Sequence, residues 1–444
     1  MVNPSEPDPR VAESLLSDEL VEAWPILSAE DRLEGFRLLT PVEAEDLYLG
    51  LEARDQVSLL LALPPGERQI WIRQLPPDDA ADVLQEAPEA ERARLLDLID
   101  PDTRREVTAL LAYAEDEAGG LMSPRYARLR PEMRVDEAIS YLRLQARQRL
   151  ETIYYIYVLD AEQRLLGVVS FRELFAAPPD KTVRDVMRTH VVSVPDDMDQ
   201  EAVSDVIAQH DLMAVPVVDA EGRVKGIVTI DDIVDVVREE ATEDIQKIGG
   251  TEALDAPYLQ VSILEMVRKR VGWLAVLFVG SLLTATVISY FEVQIAKAVV
   301  LALFIPLIIS SGGNTGSQAT TLVIRALAIG EVRPRDWLFV FWREVQAGLM
   351  LGAILGLIGF VRVMVFPPAE PGTPTELIAA VVAVSLVGIV LWGSLIGAML
   401  PFVLRRLGFD PASASAPCVA TLVDVTGLVI YFSVATLFLR GTLL

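Results

Sequence analysis

Five mostly apolar stretches follow one another in the second part of the chain, at residues 272–291, 296 to about 328, 347–366, 377–404 and 418–439. A helix needs about 20 apolar residues to cross a bilayer, and only a helix or a closed barrel satisfies its own backbone polar groups there. The pattern predicts five membrane-spanning helices. Arg268, Lys269 and Arg270 precede the first stretch; Arg325, Arg333, Arg335 and Arg343 lie between the second and third; Arg405 and Arg406 follow the fourth. The opposite loops, around Glu292 and "PPAEPGTPTE", carry only Lys297 as a base. Positive charge stays on the cytosolic side. The expected topology is therefore multi-pass in the cell (plasma, inner) membrane, with the amino terminus cytoplasmic and the carboxyl terminus outside.

The second stretch holds "SSGGNTGSQATT", residues 310–321, inside an otherwise uncharged run. Pro306, Gly312, Gly313 and Gly316 can break or bend a helix, which at membrane depth is tolerated only within protein or beside water. Asn314, Thr315, Ser317, Gln318, Thr320 and Thr321 place amides and hydroxyls at the same depth. Close helix packing accounts for isolated small residues, but less well for a run of six polar side chains. The last stretch, "CVATLVDVTGLVIYFSVATLFL", contains one charge, Asp424. A carboxylate there costs several kcal/mol unless it faces a cavity or a partner, and no lysine or arginine lies in the stretch to neutralise it. It reads as a proton carrier or a cation ligand. Carboxylate, amide and carbonyl oxygens suit Mg²⁺ or Ca²⁺; because Mg²⁺ gives up water reluctantly, a pore with one carboxylate would hold it through its hydration shell.

Charge divides the chain at the same place. Of 63 acids and 38 bases, 54 acids and 26 bases fall in the first 260 residues. Such an anionic surface repels nucleic acid and suits cations or plain solubility. The single Cys418 excludes an internal disulfide and a zinc ribbon, and His190 and His210 are too few for a histidine-based metal site. "MVNPSEPDPR" has no apolar run resembling a signal peptide, so the soluble part is expected in the cytosol.

Residues 118–240 hold an internal repeat: "YIYVLDAEQRLLGVVSFRELF" aligns with "AVPVVDAEGRVKGIVTIDDIV" at a spacing of 59 residues. Each copy reads as strand, helix, strand, turn at Asp-Ala-Glu, strand and helix. Residues 11–115 show helical periodicity cut by Pro64, Pro76 and Pro88, which predicts short stacked helices in a superhelix; residues 1–10 read as disordered. Between repeat and membrane, "VVREEATEDIQKIGG" and its flank carry Asp231, Asp232, Asp235, Glu239, Glu240, Glu243 and Asp244. Spaced three to four apart, several of these share one helix face and repel unless solvated or bridged by cations.

The repeat resembles a tandem pair of CBS domains, regulatory modules that often bind adenine nucleotides or metal. With "GGNTGSQATTLVIRALA", "GFDPA" and "ATLVDVTGL", nearly the whole chain resembles the MgtE family of Mg²⁺ channels and transporters. The resemblance implies a multidomain membrane protein, not an enzyme. Its parts are an all-α superhelical N-domain (11–117), an α/β CBS pair (118–178 and 179–240), a connecting helix (241–270) and a five-helix transmembrane domain (271–444). It further implies a homodimer with a central pore lined by the second and fifth spans. Asp424 becomes the pore carboxylate, with Gly313, Asn314, Thr315, Gln318, Ala420 and Thr421 around a hydrated ion and Asp410 at the cytosolic mouth. Regulatory Mg²⁺ would bind among Asp78 and Asp82; Asp199, Glu201 and Asp211; and Asp232, Asp235, Glu240, Glu243 and Asp244, holding the pore shut. ATP is implied as a modulator, with Tyr155 and Arg172 as candidate contacts; Leu212 stands where an aromatic stacking partner would be expected. Open alternatives are transport of Mn²⁺ or Co²⁺, proton coupling through Asp424, or a membrane-anchored sensor without transport.

Overall fold

The computed structural model describes residues 19–147, 150–254, 256–367 and 374–440; the tail expected at 1–10 and most of the "PPAEPGTPTE" loop lie outside them. Two compact units result, Met1–Glu240 and Ala241–Leu444.

The first unit opens with short helices: Ala29–Leu38, Pro41–Leu49, Ala53–Ala62, Pro65–Ile72, Pro77–Glu86, Glu89–Leu98 and Pro101–Leu110. Pro64, Pro76 and Pro88 are the residues just before the fourth, fifth and sixth of these. Their missing N–H groups would be unsatisfied at a helix start anyway, and their fixed φ favours helix entry. The periodic apolar positions, among them Leu60, Leu63, Ile72, Leu84 and Ile99, form a buried core. That core continues into Val203, Ile207, Val215 and Val228 of the second repeat copy.

The repeat folds as two matching three-stranded sheets. In the first, β1 (Arg128–Leu129) pairs parallel with β2 (Tyr155–Leu159), which pairs antiparallel with β3 (Leu165–Ser170). In the second, β4 (Val194–Pro195), β5 (Ala214–Val218) and β6 (Val224–Thr229) repeat the order. The register shifts at Val158/Leu159 and at Val217/Val218, the same place in each copy. The Asp-Ala-Glu turns are built alike: Asp160 Oδ1 accepts from the N–H of Glu162 and Arg164, and Asp219 Oδ1 from that of Glu221 and Arg223. The left-handed residue each turn needs is Gln163 in one copy and Gly222 in the other. The copies meet edge to edge through a bridge between Arg164 and Arg223, themselves equivalent positions.

After β6 comes the helix Ile230–Ile248. It differs from the connecting helix expected at 241–270 by starting directly at the sheet and ending at Gly249-Gly250, where Gly250 turns left-handed at φ +77°. The next helix begins only at Ile263.

Among the described residues the second unit holds five helices long and apolar enough to cross a membrane: Ile263–Tyr290, Val299–Ala328, Pro334–Val365, Thr375–Arg406 and Ala416–Leu439. The fourth is the hub, with Ile378, Val382, Ile389 and Ala398 fully enclosed. The third packs on it through Gly348, Gly352, Gly356 and Gly359; a Cβ on Gly352 would lie 2.9 Å from Val387 Cα, and one on Gly356 2.8 Å from the Ala383 carbonyl. Where backbones approach this closely only glycine fits, and dispersion and weak polar contacts replace the hydrophobic drive missing in lipid. The first spanning helix has no buried residue in this chain.

Candidate functional site

The second span enters as a 3₁₀ segment, Val299–Phe304, and becomes an unbroken α-helix over Ile305–Ala328. The irregularity therefore lies ahead of Pro306, which sits in the first turn of the α-helix, and Gly312, Gly313 and Gly316 do not break the helix. They serve contact instead. A Cβ on Gly312 would come within 2.4 Å of Ile389 Cγ2, and one on Gly316 within 2.8 Å of Val419 Cγ1. From the facing helix, a Cβ on Gly397 would strike the Gly316 carbonyl at 2.1 Å. At the 3₁₀ entry the buried Tyr431 hydroxyl donates to the Leu301 carbonyl at 2.9 Å, pairing irregular backbone that lipid could not satisfy.

The polar run divides between two faces. Thr315 and Thr320 are buried and bond inward, Thr315 to the Ser311 carbonyl and Thr320 to the Gly316 and Gly397 carbonyls, so the Thr315 hydroxyl is not displayed. Ser310, Asn314, Gln318, Thr321 and Arg325 are exposed along one stripe of the same helix, three or four residues apart. Asn314 Nδ2 donates to Ser310 Oγ at 3.3 Å.

Gly313 lets the fifth span approach: a Cβ there would meet Ala420 Cβ at 3.4 Å and Asp424 Oδ1 at 3.6 Å. Gly313, Ala420 and Asp424 are thus brought together. Asp424 is half-buried and has no hydrogen-bond or ion-pair partner among the described residues. Thr421 donates to the Pro417 carbonyl, and its methyl would lie 2.8 Å from a Cβ on Gly280 of the first span. One carboxylate beside a glycine backbone and a column of amides and hydroxyls can hold a cation through its water shell; it cannot strip that shell.

Asp410 lies in the turn between the fourth and fifth spans. Its Oδ1 accepts from the Ala412 N–H at 2.8 Å, and its Oδ2 from Lys247 Nζ at 2.7 Å. Lys247 is paired as well with Glu243 at 2.5 Å. Burial alone would pull the Lys247 ammonium down, but the hydrogen bonds it donates to both carboxylates outweigh it and hold the group protonated.

In the first unit the acids of "PPDDAADVLQE" face those of the helix after β6. Asp78 is buried, with Oδ1 lacking a partner. Burial first, then the charges of Glu151, Asp79 and Asp232, push its carboxyl well above the usual range. Asp79 is pushed up to about 6 by burial and by Glu151, Asp231 and Asp235. Asp232, which accepts from Thr229 Oγ1 at 2.6 Å, is pushed up to about 7, again by burial before neighbouring acids. Asp82 shifts upward for the same reasons, with Asp79, Glu115, Asp232 and Glu239 contributing, though its side chain stays open to solvent and the shift weighs less. Asp79 and Glu151 were not among the residues picked from sequence, and Asp231 was read there only as part of the acidic run; Asp79, next to Asp78, left a signal, and Glu151 left none.

The remaining acids are dispersed. Asp199 and Glu201 open the helix Gln200–His210 and Asp211 closes it, roughly 16 Å away at 1.5 Å per residue. Asp235 is exposed beside Arg238, and Gln200 Nε2 donates to Glu240 at 2.6 Å. Asp244 belongs to the half-buried part of its helix. Among the described residues no three of His, Cys, Asp and Glu converge closely enough to enclose a bare metal ion. Tyr155 is partly buried in an apolar cluster with Tyr157, Ala214 and Ile227, which draws on both repeat copies, while Arg172 is exposed. Leu212 packs at the edge of the larger core.

Comparison with known proteins finds three family models: a divalent cation transporter family, MgtE, over residues 305–434; the MgtE intracellular N domain over 15–116; and the CBS domain over 118–180 and 183–239. The magnesium transporter MgtE of Thermus thermophilus is 44% identical over 97% of this chain and 95% of its own length. That of Enterococcus faecalis is 35% identical over 76% of this chain and 72% of its own. A crystal structure of the cytosolic domain of the Mg²⁺ channel MgtE in complex with ATP is 42% identical and covers 52% of this chain and 95% of its own, with a TM-score of 0.48.

Proposed function

The chain belongs to the MgtE family of divalent cation transporters, and from that premise we propose that it imports Mg²⁺ through a pore at the interface of a homodimer. The observation that carries this reading is the exposed stripe Ser310, Asn314, Gln318, Thr321 and Arg325 beside the unpartnered Asp424. A polar column and a carboxylate cannot face hydrocarbon; they need water or protein. A second copy set against the same stripe supplies both, and twofold symmetry would bring two Asp424 carboxylates to one axis. In this arrangement the ion keeps its waters. Asp424, Asn314 and Gln318 hold that shell, Gly313 and Ala420 give it room, Thr315 and Thr421 support the two helices by packing, and Asp410 draws cations at the mouth. The membrane is the cell membrane, with the acidic part cytosolic and the carboxyl terminus outside.

The same reading makes the acidic part a Mg²⁺ sensor. Asp78, Asp79, Asp82, Glu151 and Asp232 form a crowd of mutually repelling carboxylates that bound divalent ions would relieve, and a ligand shifts such an equilibrium only by binding one state more tightly. Hydrated Mg²⁺, held by one or two carboxylates at a time, fits a set of acids that encloses no bare ion. Asp199, Glu201, Asp211, Asp235, Glu240, Glu243 and Asp244 extend the anionic surface. ATP is a second modulator, with Tyr155 and Arg172 at its site. Purified protein in liposomes, challenged with Mg²⁺, Mn²⁺, Co²⁺, Ca²⁺ and a proton gradient, tests this directly. Mg²⁺ flux that is independent of the proton gradient is expected; absence of flux for every ion would leave a sensor without transport.

A further inference from the structure

Lys247 occupies a position for which the transport reading alone gives no reason. The two acids that reading assigns to cations, Asp410 and Glu243, are both already engaged by its ammonium, at 2.7 and 2.5 Å. Both oxygens of Asp410 are already engaged, since Oδ1 accepts from the Ala412 N–H while Oδ2 accepts from Lys247. The residues around Lys247 fix the same end of the helix in place. Ile248 packs with Ile324, Ala412 and Ala414. The left-handed turn at Gly250 lays backbone on the fifth span, where a Cβ would meet Pro417 Cγ at 3.2 Å and Ser415 Oγ at 3.5 Å. Glu243 stands one helical turn before Lys247, the spacing at which a carboxylate supports a lysine.

We propose that Lys247 is a tethered cation competing with the transported ion for Asp410, so that docking of the helix end and ionic occupancy of the cytosolic mouth exclude each other. This rests on the reading of Asp410 as the mouth of a Mg²⁺ pore. A free ion must reach Asp410 from solution. The ammonium is held within reach by a helix, and tethering gives it an effective concentration in the millimolar range or above. When the pore shuts, Lys247 therefore takes over the carboxylate that the departing ion leaves, and this part-exposed acid keeps a counter-charge. Lys247 is a positioning residue: it holds the helix end and does not touch the ion. Its charge, more than its bulk, is what matters.

The full-length chain with Cys418→Ala, reconstituted in liposomes with its cytosolic face accessible, is the parent for the test. Lys247→Cys in that background should raise the cytosolic Mg²⁺ concentration that half-inhibits Mg²⁺ flux by about tenfold, a coupling of ordinary size. Treatment with 2-aminoethyl methanethiosulfonate, in which the introduced thiolate forms a mixed disulfide and displaces methanesulfinate, restores an ammonium near its original place. Inhibition should then return to within about twofold of the parent, whereas propyl methanethiosulfonate, adding similar bulk without charge, should leave it shifted. Lys247→Arg, which keeps the charge, should also stay close to the parent. Parental inhibition of the untreated Lys247→Cys variant, or equal recovery with both reagents, overturns the proposal. A parent with no Mg²⁺ flux overturns instead the transport reading on which it rests, and the proposal falls with it.

Discussion

A carboxylate withdrawn from water holds its proton more tightly, and Asp78, Asp79 and Asp232 are withdrawn together. Their raised values mean that the packed state of the first unit binds more protons than a separated or unfolded one. The packing of these acids is therefore most favourable below the ordinary carboxylate range and weakens as pH rises through about 6 to 7, where Asp79 and Asp232 ionise. Asp82, Glu115, Glu151, Asp231, Asp235 and Glu239 face the same group and add to the repulsion. Without divalent ions, the melting temperature of the first unit in the full-length protein should fall between pH 6 and pH 8, and Mg²⁺ should raise it more at pH 8 than at pH 6. Differential scanning fluorimetry with EDTA or Mg²⁺ reads both trends; a flat profile would mean the acids are merely solvated. Asp78, Asp82 and Asp232 could be picked out beforehand because resemblance pointed to them. Glu151 could not: it sits in another part of the chain and belongs to no periodic pattern.

At the scale of the element, the second span shows how one residue type carries two meanings. Glycines in a helix of a water-soluble protein weaken it, and that rule favours a break at Gly312, Gly313 and Gly316. In a membrane the unsatisfied backbone of a break costs more than a glycine does, so the helix runs through and the missing side chains become contact surface. Sequence alone shows the glycines but not the facing Gly393 and Gly397, whose match depends on which helices pair. Gly397→Leu should cost on the order of 3 kcal/mol or more, because the neighbour its Cβ meets is backbone and cannot rotate away. Gly388→Ala, whose Cβ would meet only Ile430 Cγ2 at 3.4 Å, should be close to neutral. Melting of the two variants in detergent distinguishes them, and equal losses would contradict this packing. The five spans, the paired three-stranded sheets and the proline-started helices were all legible because each rests on local pattern. The starts of the third span and of the connecting helix were not, since Arg343, Glu344 and the acids after β6 interrupt the apolar signal that marks an element's ends. Glu344 is accommodated by accepting a hydrogen bond from Ser394 Oγ on the fourth span, a partner that no local pattern reveals.

The molecule as a whole joins an anionic part, with 54 of its 63 acids in the first 260 residues, to a part that is apolar and slightly basic. That division was visible at once, and so was the odd charge in the last span. What sequence withheld was its setting: Asp424 stands against Gly313, beside a stripe of amides and hydroxyls that one copy of the chain leaves uncovered. The transport account depends on that carboxylate being in contact with the moving ion. The measurement that reaches it most directly is Mg²⁺ uptake into liposomes by Asp424→Asn, which keeps the shape and removes the charge, beside the parent protein at matched melting temperature and oligomeric state. Loss of a charged contact to the hydrated ion predicts uptake reduced by about 10- to 100-fold. Uptake at the parental rate from an equally folded variant would contradict the account.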